Sequence, residues 1–122
     1  MRKTSGLGQL AITISDLSTA LPFYRDVLGL GFLFSPSNNL AFVQSGATRI
    51  MLTTPQGSGE VGKNSIPYFS VQGVEAFFEH LSDDITVERA PELAANMPDH
   101  ELWIGFLRDP DNNLVGLMEE KR

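Results

Sequence analysis

The sequence contains no cysteine. A disulfide staple, a thiol nucleophile and a thiolate metal ligand are therefore all excluded. Long hydrophobic runs are missing as well, and no stretch approaches the roughly 18 consecutive apolar residues of a membrane-spanning helix. The opening Met1-Arg-Lys-Thr-Ser-Gly6 carries two basic residues, but Leu7 to Ile14 alternates with polar groups. It lacks the continuous apolar core and small-residue cleavage site of a secretory signal. Basic residues are scarce, with nine Lys and Arg against fifteen Asp and Glu for a formal charge of −6. That balance disfavours nucleic acid, whose phosphates reward clustered Lys and Arg. No block of like charge marks a binding tail. The expectation is a cytoplasmic protein that engages neither nucleic acid nor membrane. An acidic surface promotes solubility and gives at most weak steering of a cationic guest.

What is present fits a folded chain: 122 residues, 42% of them hydrophobic, the size of one compact domain. Gln9-Leu-Ala-Ile-Thr-Ile-Ser15 alternates strictly, with Leu10, Ile12 and Ile14 on one face and Gln9, Ala11 and Thr13 on the other. Period 2 with β-branched residues predicts a strand. Asp16 suits a helix N-cap. Leu17, Ala20, Leu21, Tyr24, Val27 and Leu28 then form one apolar helical stripe ending at Gly29. Pro22 predicts a local distortion there. Three strands are predicted next, Phe32 to Phe34, Leu40 to Gln44 and Thr48 to Thr53, separated by turn-rich Ser35-Pro-Ser-Asn-Asn39 and Ser45-Gly-Ala47. Residues 55–65 hold three glycines and almost nothing apolar, and read as a linker.

Beyond the linker the order begins again. Pro67-Tyr-Phe-Ser-Val71 predicts a strand, and Val74, Phe77, Phe78 and Leu81 an amphipathic helix. A short strand at Ile85 to Val87 leads into a polar, proline-containing loop from Arg89 to His100. Glu101 to Leu107 and Leu114 to Glu119 make a final hairpin around Arg108-Asp-Pro-Asp-Asn-Asn113, where Pro fixes φ and Asn tolerates positive φ. An offset of 57 residues carries Asp16 onto Gly73 and Gln9 onto Ile66. Internal repetition is the most informative feature of the chain.

Ser15-Asp-Leu-Ser-Thr-Ala-Leu-Pro-Phe-Tyr-Arg-Asp-Val-Leu-Gly-Leu30 resembles the first-helix signature of the glyoxalase/bleomycin-resistance/dioxygenase superfamily, the vicinal oxygen chelate proteins. Phe106-Leu-Arg-Asp-Pro-Asp-Asn-Asn-Leu-Val115 resembles their closing hairpin. The likeness spans Gln9 to Glu119. It implies an α+β fold in a single domain over 1–122. Two βαβββ modules, about 7–54 and 66–120, would form a curved, cup-like mixed sheet with helices outside. Metal-dependent members hold a divalent ion on four inward-pointing His or Glu residues, and the ion acts as a Lewis acid on a chelated substrate. Carried onto this chain, those positions are Gln9, seven residues before Asp16, then Met51, Ile66 and Gly116.

Gln offers one neutral carbonyl oxygen, Met a soft thioether, and Ile and Gly nothing. A register slip of one residue would turn the strands to their other faces, where Leu10, Ile50, Leu52, Pro67, Val115 and Leu117 stand. Glu119 and Glu120 read as solvated charges near the chain end. His80 reads as solvent-exposed and His100 as part of a polar loop, so neither supplies a site. No metal and no cofactor is expected. If the four positions line a hollow, period 2 adds Ala11, Thr13, Arg49, Thr53, Tyr68, Ser70, Leu114 and Met118. Gln9, Thr13, Arg49, Met51, Ile66, Tyr68, Trp103 and Met118 are the candidate ligand-binding residues. Trp103 and Phe42 fit a stacking surface, but aromatic residues on strands are more often core. Tyr68 and Arg49 are better candidates, since burying a phenol or guanidinium unpaired is costly. The reading that follows is metal-free small-molecule binding, with sequestration of an antibiotic or metabolite as its use, by analogy with the bleomycin-resistance branch. The alternative is an enzyme of the same superfamily acting without the usual metal, with Tyr68, Arg49 or Gln9 polarising a carbonyl. The resemblance also implies a homodimer.

Overall fold

A computed structural model describes residues 2–55 and 59–122. Part of the segment read as a linker, residues 56–58, lies outside them. The chain divides into two compact units, Met1–Asn64 and Ser65–Arg122. Each has the order strand, helix, three strands, and each makes its own open four-stranded sheet. The expected α+β architecture of two βαβββ modules is present.

In the first unit, β1 (Gln9–Thr13) pairs in parallel with β4 (Thr48–Thr53), β3 (Leu40–Ser45) lies beyond β4, and β2 (Gly31–Ser37) forms the edge. Alternation decides which side of this sheet is core. Ile12, Val43, Ile50 and Leu52 are 2% exposed or less, while Gln9 and Arg49 are exposed on the opposite side. Helix α1 (Leu17–Pro22) covers the apolar side with Leu17 and Ala20. It starts where Asp16, in extended backbone, accepts the Ser18 N–H at 2.9 Å.

Pro22 has no N–H to return to Ser18, and the distortion expected there is a change of helix type. From Phe23 to Val27 the turn widens to π geometry, with the Leu28 N–H donating to the Phe23 carbonyl at 3.0 Å. Widening brings the adjacent rings of Phe23 and Tyr24 both into the core, at 4% and 0% exposure. A regular 3.6-residue stripe predicts only Tyr24. Gly29 ends the segment at φ 75°, where a side chain would be strained. The segment after β4 closes back on β1 through Asn64, whose amide accepts the Thr13 N–H at 3.0 Å and donates to the Thr13 carbonyl at 3.2 Å.

The second unit repeats the topology with β5 (Tyr68–Ser70) parallel to β8 (Leu114–Lys121), then β7 (Glu101–Arg108) and the edge strand β6 (Thr86–Asn96). Residues 89–96, expected as loop, belong to this edge strand. Register shifts at three places let β6 follow β7 despite Pro91, which an edge strand tolerates. Helix α2 (Val74–Glu79) lies over the side carrying Leu107 and Leu117. The β7–β8 turn is pinned by Asp109, which accepts the Asp111 and Asn113 N–H groups at 2.9 and 2.8 Å, with Asn112 at φ 66°.

The start of α2 shows how one unit replaces a cap used by the other. Gly73 stands where Asp16 stands in the first unit and has no side chain to offer. Instead Glu119, on β8, accepts the N–H groups of Gly73 and Val74, each at 3.0 Å. Those two bonds hold its carboxyl below the usual glutamate range, the Gly73 bond contributing most. Glu119 is thus a helix cap reached from a distant strand, where the sequence suggests only a solvated charge. A depressed folded-state pKa gives stabilisation present above the unfolded value and lost as pH falls through the folded one. Glu119→Gln should therefore cost about 1 kcal/mol at neutral pH. Denaturant titrations of the two proteins should converge as pH falls below the ordinary glutamate range.

Candidate functional site

The side of each sheet away from its helix is open, and the candidate residues are found there by register. In the first unit Gln9 pairs with Arg49, Ala11 with Met51, and Met51 in turn with Phe42. Their side chains make one continuous cluster. Arg49 Nε donates to Gln9 Oε1 at 2.7 Å, and Gln9 Nε2 points at Met51 Sδ at 3.8 Å. The Arg49 guanidinium lies 5.3 Å from the centroid of Phe42. Phe42 stacks on Phe34 with centroids 4.9 Å apart and planes at 29°. Phe34 itself is 52% exposed. Thr13 ends the row but is buried, its backbone clasped by Asn64.

In the second unit, Tyr68 pairs with Gly116, and Gly116 with Phe106. The Tyr68 ring lies directly on Gly116: a β-carbon there would fall 2.6 Å from Tyr68 Cδ2. Tyr68 meets Phe106 edge-on at 5.7 Å, and the Arg89 guanidinium lies 4.9 Å from the Phe106 centroid. Met118 pairs with Ser70 and Ile104 on the same side. Ile66 precedes β5 and is 42% exposed.

Trp103 is not in this group. It pairs with Glu119 and Leu93, one step from Ile104, and so shares the helix side with Leu107 and Leu117. There Lys121 Nζ sits 4.2 Å from its ring while bonding Glu75 at 2.7 Å, and the indole N–H donates to Glu101. The lysine bond lowers the Glu75 pKa. Phe106, Phe34 and Arg89 are the open-side residues that sequence reasoning missed. Phe106 alternates with Ile104 and Leu102, but Trp103 and Leu107 are equally apolar, so period 2 could not choose the side.

Each of the two histidines has a polar partner within the chain. His80 Nδ1 lies 2.7 Å from its own helix carbonyl at Ala76. His100 sits between Asp99 and Glu120, at 2.7 and 3.5 Å. A cleft of about 470 Å³ runs between α1 and the β2–β3 hairpin, away from the open side. Of its lining residues, Asp16 bonds Ser18, Arg25 bonds Asp26 and Ser35 bonds the Leu40 carbonyl.

The divalent ion implied by the resemblance can be tested against this donor set. Among the described residues no three His, Asp or Glu side chains converge as metal ligands would. Gln9 has its oxygen committed to a guanidinium. An ion on that oxygen, about 2.2 Å away, would stand within about 5 Å of a fixed positive charge. Repulsion between them amounts to roughly 2–7 kcal/mol across solvent-like to surface-like dielectrics. Gly116 has no side chain, and the Tyr68 ring fills the space one would need. The residues do not fit the ion.

Among curated proteins none matches the sequence. Solved structures match over nearly its full length. An integron cassette protein from the mobile metagenome of V. cholerae is 23% identical, with 98% of each chain covered and a TM-score of 0.79. A virulence protein from Salmonella typhimurium is 24% identical, covering 97% of this chain and 98% of that one, with a TM-score of 0.77. At these identities the likeness concerns the fold. Lactoylglutathione lyase from Agrobacterium tumefaciens is 28% identical, covering 96% of this chain and 95% of that one, with a TM-score of 0.74. The family model of the Glyoxalase/Bleomycin resistance protein/Dioxygenase superfamily matches residues 6–117. By its sequence, and with two βαβββ units bearing open sheet faces, the chain belongs to that superfamily.

Proposed function

We propose that this protein binds a small organic molecule on the open side of its N-terminal sheet and does so without a divalent ion. The observation that carries this reading is the bond from Arg49 to Gln9 at 2.7 Å. It puts an organic cation at the position where the metal-dependent members keep a ligand for an inorganic one. Around it stand two stacked aromatic rings and a thioether, a surface suited to a flat, partly apolar guest. Sequestration needs no more than that.

The likeness to lactoylglutathione lyase supports a second reading, lyase chemistry. Arg49 could then stabilise a developing oxyanion, but no carboxylate or histidine in the cluster serves as its proton acceptor. Two measurements on the purified protein separate the readings. Thermal-shift screening with aromatic metabolites and antibiotics should reveal stabilising compounds that are recovered unchanged. Methylglyoxal and glutathione should not be converted to lactoylglutathione with or without added nickel or zinc. Turnover would overturn the binding reading in favour of the lyase.

A further inference from the structure

The geometry points to a planar aromatic carboxylate as the guest of the Arg49–Phe42–Phe34 platform, a ligand class that rests on the binding reading above. The ion-pair partners of the arginines make the case. Arg25, Arg89, Arg108 and Arg122 each have a carboxylate within 3.5 Å. Arg49, like Arg2 near the N-terminus, has none among the described residues, in a chain with a surplus of acids. Its neutral partner Gln9 takes the Nε–H, fixing the guanidinium over Phe42. Among the described residues no carboxylate takes up its terminal Nη donors. The contrast with Arg89 is instructive. That side chain lies over Phe106 in the same way, yet Glu92 meets it at 3.3 Å and neutralises it.

Two recognition elements therefore stand side by side. Phe34 continues the stack begun by Phe42 and leaves a half-exposed ring, on which a flat arene gains stacking and apolar contact. The Arg49 fork offers paired donors matched to a carboxylate, held in place before the ligand arrives. Gln9 positions the fork, and Met51 supplies a polarisable wall. A cationic guest would meet Arg49 as a like charge, so the acidic surface of the chain does not set the preference at this spot.

The test uses the full, isotope-labelled chain and three compounds with one ring system: 2-naphthoate, neutral 2-naphthamide and 2-naphthyltrimethylammonium. Amide shifts at Gln9, Phe42 and Met51 should saturate with 2-naphthoate at least about tenfold below the concentration needed for 2-naphthamide. Arg49→Gln should abolish that preference, its spectrum reporting that the fold persists. Arg25→Gln should behave as wild type. Equal binding of naphthoate and naphthamide at these amides would overturn the carboxylate assignment while leaving small-molecule binding intact. Tightest binding of the ammonium compound, an undiminished preference in Arg49→Gln, or no saturable shift with any of the three would also overturn it.

Discussion

Gly116→Ala should destabilise the C-terminal unit by about 1–3 kcal/mol, the range for forcing one methyl into a filled space. The new β-carbon would lie 2.6 Å from Tyr68 Cδ2 and 3.2 Å from Cγ, so the ring must leave the sheet. Its edge contact with Phe106 would go with it. The partner is half-exposed, which keeps the effect within that range, since Tyr68 can swing into solvent. A double-mutant cycle makes the mechanism specific. In a Tyr68→Ala background the same glycine substitution should cost less than about 0.5 kcal/mol. Urea unfolding of the four proteins reads both numbers. Equal costs in the two backgrounds would show that something other than the ring demands glycine at 116. Gly116→Glu, which restores the residue type of the metal-dependent relatives, should meet the same obstacle.

That glycine also shows where sequence reasoning succeeds and where it stops. The resemblance assigned position 116 to a metal ligand and noted that glycine cannot serve. It could not say that an aromatic ring from β5 had taken the space, because the pairing of Tyr68 with Gly116 joins residues far apart in sequence. The strands Gln9–Thr13 and Thr48–Thr53 were legible because one side is core and the other open, which imposes strict alternation. β6 was not legible beyond Val87. Its edge position, its bulges and Pro91 erase the periodicity, and only pairing with β7 makes it a strand.

Arg49, Gln9 and Met51 were legible as one group, since a period of two on paired strands gathers them. Their contacts were not. Whether Arg49 turns to a carboxylate or to Gln9 is a matter of a few ångströms that no spacing encodes. The facing of Trp103 was hidden for a related reason. β7 is apolar on both sides, one packed by α2 and the other by Tyr68, so its alternation carries no direction. The role of Glu119 depended on Gly73, the place where the second unit lacks the capping aspartate of the first.

The second large effect concerns divalent metals. A site of four His and carboxylate ligands binds such ions tightly because every donor is anionic or strongly basic and the geometry is preset. This chain keeps the fold and offers, at the positions the resemblance assigns to ligands, an amide bonded to a guanidinium, a thioether, an isoleucine and a glycine. Loss of the charged donors removes the attraction, and Arg49 adds repulsion.

Titration of the isotope-labelled protein with nickel and zinc tests the account most directly, with the amides of Gln9, Met51 and Gly116 as reporters. These signals should show no saturable change below about 1 mM of either ion, corresponding to less than about 4 kcal/mol of binding. Saturation at one equivalent with micromolar affinity, with Gln9 and Met51 shifting together, would contradict it.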